Sequence, residues 1–188
     1  APDTPTTVFT ALEAIYEEQG ETHARIDLLK QRLESAQTLD LSTTYRLLIA
    51  QSYWDDLHSA TEAQKILDPI LQNDPAHEAA NRLLAHIARE QKDYAKAARH
   101  MEIALQERHG GIDEVELERD LADLYLHHLQ HVDKAMKHYK NVLKAAPSDS
   151  KALEGIKQSQ AFNEDWNGYI QSLERELGLL LGSPNSVD

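Results

Sequence analysis

Four of the ten histidines of this chain fall within one short stretch, LHHLQHVDKAMKHY at residues 126–139. His127 and His131 are four residues apart, and His138 follows seven residues later. On one continuous α-helix this spacing would place three imidazoles on the same face, where they could bind a metal ion. Whether the three residues share a helix therefore decides whether the stretch predicts a metal site.

The composition indicates an all-α protein. The 188 residues are 41% hydrophobic, which is enough for a sizeable core, and they include only 7 Gly and 6 Pro. Leu, Ala, Glu and Gln dominate and favour helices, whereas no long stretch alternates apolar and polar residues. The net charge of −13 argues against binding to nucleic acid or to an anionic membrane surface. Because the chain has no cysteine, a disulfide, a thiol nucleophile and a Cys-based zinc site are excluded.

Sequence motifs of known enzymes are missing. The chain has no P-loop, no Gly-x-Gly-x-x-Gly, no Gly-x-Ser-x-Gly and no His-Glu-x-x-His. We therefore predict that the protein is not an enzyme and that it binds no cofactor. No apolar run has the length of a membrane-spanning helix, and no signal peptide is recognisable. We predict a cytoplasmic location, with the periplasm after loss of a signal peptide as the alternative.

A repeat of about 35 residues organises the chain. Three segments, at 61–75, 93–106 and 133–147, share an Ala, a large apolar residue four positions later and a further apolar residue three positions after that. Upstream of each segment lies a second apolar pattern with a small residue. That small residue recurs as Ala14, Ala50, Ala85, Ala122 and Gly155. Two helical patterns in each period predict a stack of helix pairs.

This pattern resembles the tetratricopeptide repeat (TPR) family, in which a small residue in helix A is followed by an Ala, a large residue and a final Pro in helix B. Residues 43–147 match over three units, with HGG at 109–111 in place of Pro to stop the middle helix B. Residues 8–37 and 149–181 match each other better than they match the family, as capping repeats do.

The resemblance implies a right-handed α-solenoid of about five stacked antiparallel helix pairs, or about ten helices. We predict one domain over 7–182, between an extended or disordered N-terminal tail at 1–6 and a C-terminal tail at 183–188. The five units of this domain are predicted at 7–40, 41–76, 77–111, 112–148 and 149–182.

In this register the histidines do not share one regular helix. Residues 125–135 align with residues 53–63, and both stretches have one residue more before the Ala of helix B than residues 88–97. His127 is therefore predicted to end helix A, and His131 to lie in a widened turn.

The favoured interpretation of the cluster is a set of solvated histidines near a helix C-terminus, where a cation suits the helix dipole. His138 is placed on helix B beside the core residue Tyr139, and Asp133 is expected to cap that helix. A metal site and a pH-sensitive surface are the alternatives, and we predict no bound metal.

The resemblance also implies a binding groove, because TPR proteins bind partners along helix A. Arginines on this face could pair with carboxylates of an extended peptide, and Trp54 could anchor it. The alternative is a structural role, with Trp54 covering the core and the arginines paired with Glu78, Glu116 or Glu118. The family's Lys/Asn clamp for a C-terminal carboxylate is not reproduced. The predicted groove residues are Leu47, Gln51, Trp54, Arg82, His86, Arg89, Arg119, Asp123, Leu126 and His127.

The favoured function is thus a non-catalytic scaffold that binds a peptide or protein segment of unknown identity in the groove. The alternative is a structural assembly module that self-associates or is a fragment of a longer TPR-containing protein. The stretch LGLLLG at 177–182 supports this alternative, because Leu179, Leu180 and Leu181 cannot all be buried within one copy. We therefore predict self-association through the C-terminal helix as a second mode of partnership.

Overall fold

A computed structural model describes residues 4–106 and 112–181 of the chain, and these residues form ten α-helices and no strand. The predicted all-α class and the predicted number of helices are confirmed. The chain divides into two compact units, residues 1–87 and 88–188, and the division falls within the fifth helix.

In the first unit, consecutive helices pack against each other. α1 packs on α2, α2 on α3 and α3 on α4. These helices are α1 (Thr4–Gln19), α2 (Thr22–Glu34), α3 (Leu39–Asp55), α4 (Ala60–Asn73) and the larger part of α5 (Glu78–Glu90). Helix α1 thus occupies the last three residues of the range predicted as a tail, and Pro5 is compatible with this because the first turn of a helix needs no N–H donor.

The core of the first unit consists of two clusters of buried side chains. Ile26 and Leu29 of α2 pack on Ile49 of α3. Ala50 of α3 and Leu67 of α4 belong to a second cluster, which also includes residues of α5. The predicted small residue Ala50 and the predicted large residue Leu67 are therefore core residues in this unit, whereas the small residue Ala14 of α1 is exposed.

The second unit also packs its helices in the order of the sequence. Helix α6 packs on α7, α7 on α8, α8 on α9 and α9 on α10, and α7 also contacts α9. The helices that follow α5 are α6 (Tyr94–Ala104), α7 (Ile112–His127), α8 (Val132–Ala145), α9 (Ser150–Phe162) and α10 (Trp166–Leu180). The predicted helix stop at 109–111 and the predicted tail at 183–188 lie outside the described residues.

The turn between the two helices of a pair is built in the same way five times. One residue in each turn has a left-handed backbone, and the N–H of the next residue closes the turn on a carbonyl of the preceding helix. Asp93 N–H reaches back five residues to the oxygen of Ala88 (2.9 Å), whereas His131 N–H reaches back six to the oxygen of Tyr125 (2.9 Å). The extra residue predicted in the second and fourth units is therefore accommodated in this turn. The left-handed residues are Gly20, His58, Lys92, Gln130 and Glu164.

Among residues 4–106 and 112–181, no helix is both long enough and apolar enough to cross a bilayer. The cytoplasmic location stays a prediction.

Candidate functional site

In the first unit, the predicted groove residues of α3 and α5 meet at Trp54. The indole is half-buried against the core cluster that contains Ala50. Its Nε1–H donates to Nδ1 of His86 at 2.9 Å, and the two rings meet edge to face with centroids 5.9 Å apart. Trp54 therefore covers part of the core and also presents an edge beside an exposed histidine, so both interpretations of this residue describe part of its environment.

The other predicted groove residues of this unit have separate surroundings. Arg82 Nε donates to Glu78 Oε1 at 2.9 Å within α5, which is the structural pairing named as the alternative. Gln51 is exposed. Leu47 lines a pocket of about 350 Å³ together with residues of α3, the end of α4 and the following loop, namely Leu39, Asp40, Thr43, Thr44, Ile70, Asn73, Asp74 and His77.

In the second unit, a pocket of about 340 Å³ lies between α7 and α9. Both helices are the first of their pair, so the pocket lies on the helix A face that the TPR resemblance implies for binding. Asp123 and His127, two of the predicted residues, line its α7 side. The remaining lining residues are Tyr139, Ser150, Lys151, Glu154, Gly155 and Gln158.

Gly155 lets α9 approach α8 closely beside this pocket. A Cβ at this position would lie 2.5 Å from both Cε atoms of the Tyr139 ring. The side chain of Tyr139 is fully buried. The small residue of the repeat is thus a glycine here because the aromatic ring of the neighbouring helix occupies the space of a side chain.

Both carboxylates that line the pocket already have partners. The hydroxyl of Tyr139 donates to Asp123 Oδ1 at 2.5 Å, and burial together with this bond raises the pKa of Tyr139 above its ordinary value. Glu154 accepts from Lys157 Nζ at 2.9 Å and from Gln158 Nε2 at 3.1 Å. These two hydrogen bonds lower the pKa of Glu154, so this carboxylate is held ionised near neutral pH.

The two basic side chains that line the pocket, those of Lys151 and His127, have no such partners among the described residues and can bind a ligand. Neither Nζ of Lys151 nor the imidazole of His127 makes a hydrogen bond or an ion pair with the part of the chain that the structure describes. Both residues are exposed. The pocket can therefore offer two donors to an anionic group, although the chain as a whole is acidic.

The arginines predicted to face a partner are used within the second unit. Arg119 Nη2 donates to Asp149 Oδ2 at 2.6 Å, and Arg89 Nη1 donates to Asp120 Oδ2 at 3.0 Å. Burial tends to raise the pKa of Asp149, but hydrogen bonds from the backbone N–H of Ala152 and from Arg119 outweigh it and lower that pKa. The acidic partners differ from those expected because they lie on neighbouring segments rather than on the same helix.

Leu126 is 8% exposed, so little of its side chain is open to a partner, and its role in a groove stays a prediction. Leu124 and Tyr125 beside it are buried as well. Three successive residues point in three directions around a helix, and α7 contacts α6, α8 and α9. The end of α7 is therefore covered on more sides than one helix face.

No family model matches the chain, and no curated protein matches it. Solved structures do match it over almost its whole length. The crystal structure of a MamA protein has a TM-score of 0.67 at 16% identity and covers 92% of this chain and 90% of that chain. Residues 41 to the end of MamA from Desulfovibrio magneticus RS-1 give 0.66 at 12% identity, with coverages of 98% and 100%. A kinesin light chain from Podosopora anserina with nearly identical TPR-like repeats gives 0.60 at 15% identity, with coverages of 96% and 97%. The fold is TPR-like.

The TPR-like register places most of the histidine cluster as predicted. His127 is the last residue of α7, and His131 precedes the first residue of α8. Asp133 does not cap α8, because the helix begins one residue before it and His131 holds the cap position. Within the described ranges, no three side chains of the metal-binding types lie together in a way that could hold a metal ion.

His138 is 8% exposed, so the prediction that the whole cluster is solvated is wrong for this residue. Its Nδ1 lies 2.5 Å from Glu118 Oε2, and Asn141 Nδ2 donates to Glu118 Oε1 at 3.0 Å. This buried polar group joins α7 to α8 within the second unit.

The sequence carried a clue to this group. Glu118 stands three residues before Leu121 and four before Ala122, and neither of these is exposed. In a TPR-like helix A that spacing places Glu118 on the buried face. A buried carboxylate requires hydrogen-bond donors, and His138 is on the facing side of helix B.

Proposed function

We propose that this protein is a non-catalytic binding module that holds an extended segment of a partner protein on the helix A face of its TPR-like pairs. The observation that carries the proposal is the pocket between α7 and α9. It lies where the resemblance implies binding, and its volume suits one or two side chains of a peptide.

The charges of the pocket support a specific chemistry for the partner. Asp123 and Glu154 are satisfied by neighbours, whereas Lys151 and His127 are not. A carboxylate on the bound segment would give these two donors a partner at little cost in desolvation, because both are exposed. We infer that the partner segment carries an Asp or a Glu at the residue that enters this pocket. The arginines expected for this role are already paired.

In the first unit, the edge of Trp54 offers an apolar contact, and the exposed His86 stands beside it. Aromatic side chains of this kind contribute strongly to binding where they lie in the centre of an interface. The two units therefore offer different contacts, an aromatic one in the first and a basic one in the second.

The test is a selection of binding peptides from a random displayed library against the full chain. The selected peptides are expected to be enriched in Asp or Glu. Their binding is expected to weaken at least about tenfold in the double variant His127→Ala/Lys151→Ala, since loss of charge-assisted hydrogen bonds costs about 1.5 kcal/mol or more.

The matched control removes one histidine and one lysine away from the pocket, as His23→Ala/Lys140→Ala. Both control residues are exposed and neither lines the pocket. Peptides that bind the pocket variant and the wild type equally well would contradict the proposed site. A selection that yields no peptide at all would contradict the proposed function.

A second candidate function is assembly through the C-terminal helix. The observation that favours it is the exposure of apolar side chains along α10 and at its C-cap, including Leu180 at 79% and Leu181 at 71%. Large apolar residues in this number on one helix are typical of a surface that another protein chain covers.

A further inference from the structure

Helix α10 carries an apolar stripe that the described part of the chain leaves open. Trp166, Ile170, Leu173 and Leu177 are between 43% and 58% exposed, and they follow one another at intervals of four, three and four residues. This spacing places them on one side of a helix. Within the described residues α10 packs on α9. We call the last three of these residues, Ile170, Leu173 and Leu177, the terminal B face.

The same positions are covered in the first pair. Ile26, Leu29 and Leu33 of α2 correspond to the terminal B face, because the first and last units align with each other. Ile26 and Leu29 are 2% and 1% exposed, since α3 packs on them through Ile49. The terminal B face is thus a surface on which the next helix A of the stack belongs.

Helix α1 carries the complementary surface, on the side of a helix A that packs against the preceding helix B. Its residues Ala11, Ala14 and Ile15 are all exposed, and we call them the terminal A face. They align with Ala152, Gly155 and Ile156 of α9, which are all buried in a unit where α8 packs on α9. The terminal A face is thus a surface on which the preceding helix B belongs.

We propose that the two faces bind each other between copies, so that α1 of one copy packs on α10 of another. This inference rests on the second candidate function, assembly, and specifies how that assembly is made. The joint between α8 and α9 is its template, where the small Gly155 accepts the ring of Tyr139. In the joint between copies, the small Ala14 faces Ile170, which occupies the position of Tyr139 in the repeat.

Such a contact is heterologous, because each copy uses two different surfaces. Every copy that joins through its terminal A face therefore still carries an open terminal B face. The contact differs in this way from a two-fold pairing of α10 with α10 of a second copy, in which one surface would be used twice.

Charge works against the contact rather than for it. Glu17 and Glu18 are exposed beside the terminal A face, and Glu174 is exposed beside the terminal B face. The two faces themselves contain only apolar side chains. Association is therefore expected to strengthen as added salt screens the repulsion between acidic neighbours, whereas a contact made by ion pairs would weaken.

The experiment uses the full chain and measures its mass by sedimentation velocity at concentrations up to about 1 mM, because weak contacts have dissociation constants in this range. Ala14→Arg blocks only the terminal A face, and Leu173→Arg blocks only the terminal B face. Both residues are exposed, so the helix content measured by circular dichroism is expected to be unchanged. Leu41→Arg, at an exposed apolar position on neither face, is the matched control.

We expect the wild type and Leu41→Arg to form dimers and larger species, and each blocked variant alone to be a monomer. A mixture of the two blocked variants is expected to form a 1:1 dimer, because one open face of each kind remains. If Ala14→Arg dimerises like the wild type and Leu173→Arg does not, assembly exists but the head-to-tail contact is overturned. A wild type that is monomeric at all concentrations overturns assembly itself.

Discussion

Replacing Gly155 with Ala sets two effects of opposite sign against each other. Gly155 lies inside α9, and Ala at an interior helix position is more stable than Gly by about 1 kcal/mol. If nothing approached this position, Gly155→Ala would therefore stabilise the protein. The structure places both Cε atoms of Tyr139 2.5 Å from the new Cβ, whereas carbon atoms normally stay about 3.5–4.0 Å apart.

The ring of Tyr139 has to move by about 1 Å to relieve this overlap. The residue is fully buried, and its hydroxyl donates to Asp123 at 2.5 Å. Forcing an additional methyl group into a packed core costs about 1–3 kcal/mol. Weakening a hydrogen bond to a charged group costs about 1.5–3 kcal/mol. After the gain in helix propensity is subtracted, we expect Gly155→Ala to lower the free energy of unfolding by about 1.5–5 kcal/mol.

The assay is urea unfolding followed by circular dichroism, repeated in a Tyr139→Leu background. Leu has no ring at the crowded position, so Gly155→Ala is expected to be neutral or to stabilise that background by up to about 1 kcal/mol. Gln158→Ala, an exposed change on the same helix, controls for general effects on α9 and is expected to stay within about 0.5 kcal/mol of the wild type. A Gly155→Ala protein as stable as the wild type in the presence of Tyr139 would refute the close packing of α8 on α9.

Three further changes test other features. His138→Leu leaves the buried Glu118 with one hydrogen bond fewer, so the free energy of unfolding is expected to fall by about 2 kcal/mol in urea melts. The lowered pKa of Asp149 stabilises the fold above the ordinary value of 3.8 and ceases to do so as the pH falls through the lowered pKa. Arg119→Ala is therefore expected to reduce stability at about pH 7 and to differ less from the wild type at about pH 3. Lys92→Gly, at a left-handed turn position with φ 61°, is expected to raise the melting temperature by a few degrees, or about 0.5–1 kcal/mol.

The core was predictable from the sequence because it repeats. Ala50, Ala122 and Gly155 belong to the series of small residues that recurs about every 35 residues, and each is buried where a neighbouring helix approaches closely. The widened turns could also be predicted, since an extra residue changes the length of an alignment whatever its type. His131 accordingly closes its turn one residue later than Asp93 does.

The left-handed turn residues were not predictable from residue type. Gly20 has the expected type, but Lys92, Gln130 and Glu164 occupy the same position and have no preference for this conformation that would reveal it. Their conformation follows from the need to join two antiparallel helices with few residues. The packing of these helices offsets the free-energy cost of the left-handed backbone.

The partners of charged residues were the least predictable part of the candidate site. Arg119 binds Asp149, which is 30 residues away in the chain. Sequence spacing within one helix identifies neighbours at three or four positions and is silent about such distant pairs. The basic side chains of the pocket without a partner among the described residues are Lys151 and His127, and only His127 was among the predicted residues.

Register alone also fails to distinguish core from interaction surface. Leu29 and Leu173 hold the same place in their repeat units, yet one is 1% exposed and the other 43%. Among the described residues, α3 packs on Leu29 whereas α10 contacts α9 alone, and the pattern of apolar residues is the same in both cases. A residue that the repeat marks as core is therefore a candidate for binding wherever the stack lacks a neighbour. For this TPR-like chain, residues that depart from the repeat, such as Lys151, are where a partner of different chemistry would be recognised. Residues that keep to the repeat, such as Leu173 and Ala14, are where a second copy of the chain would bind.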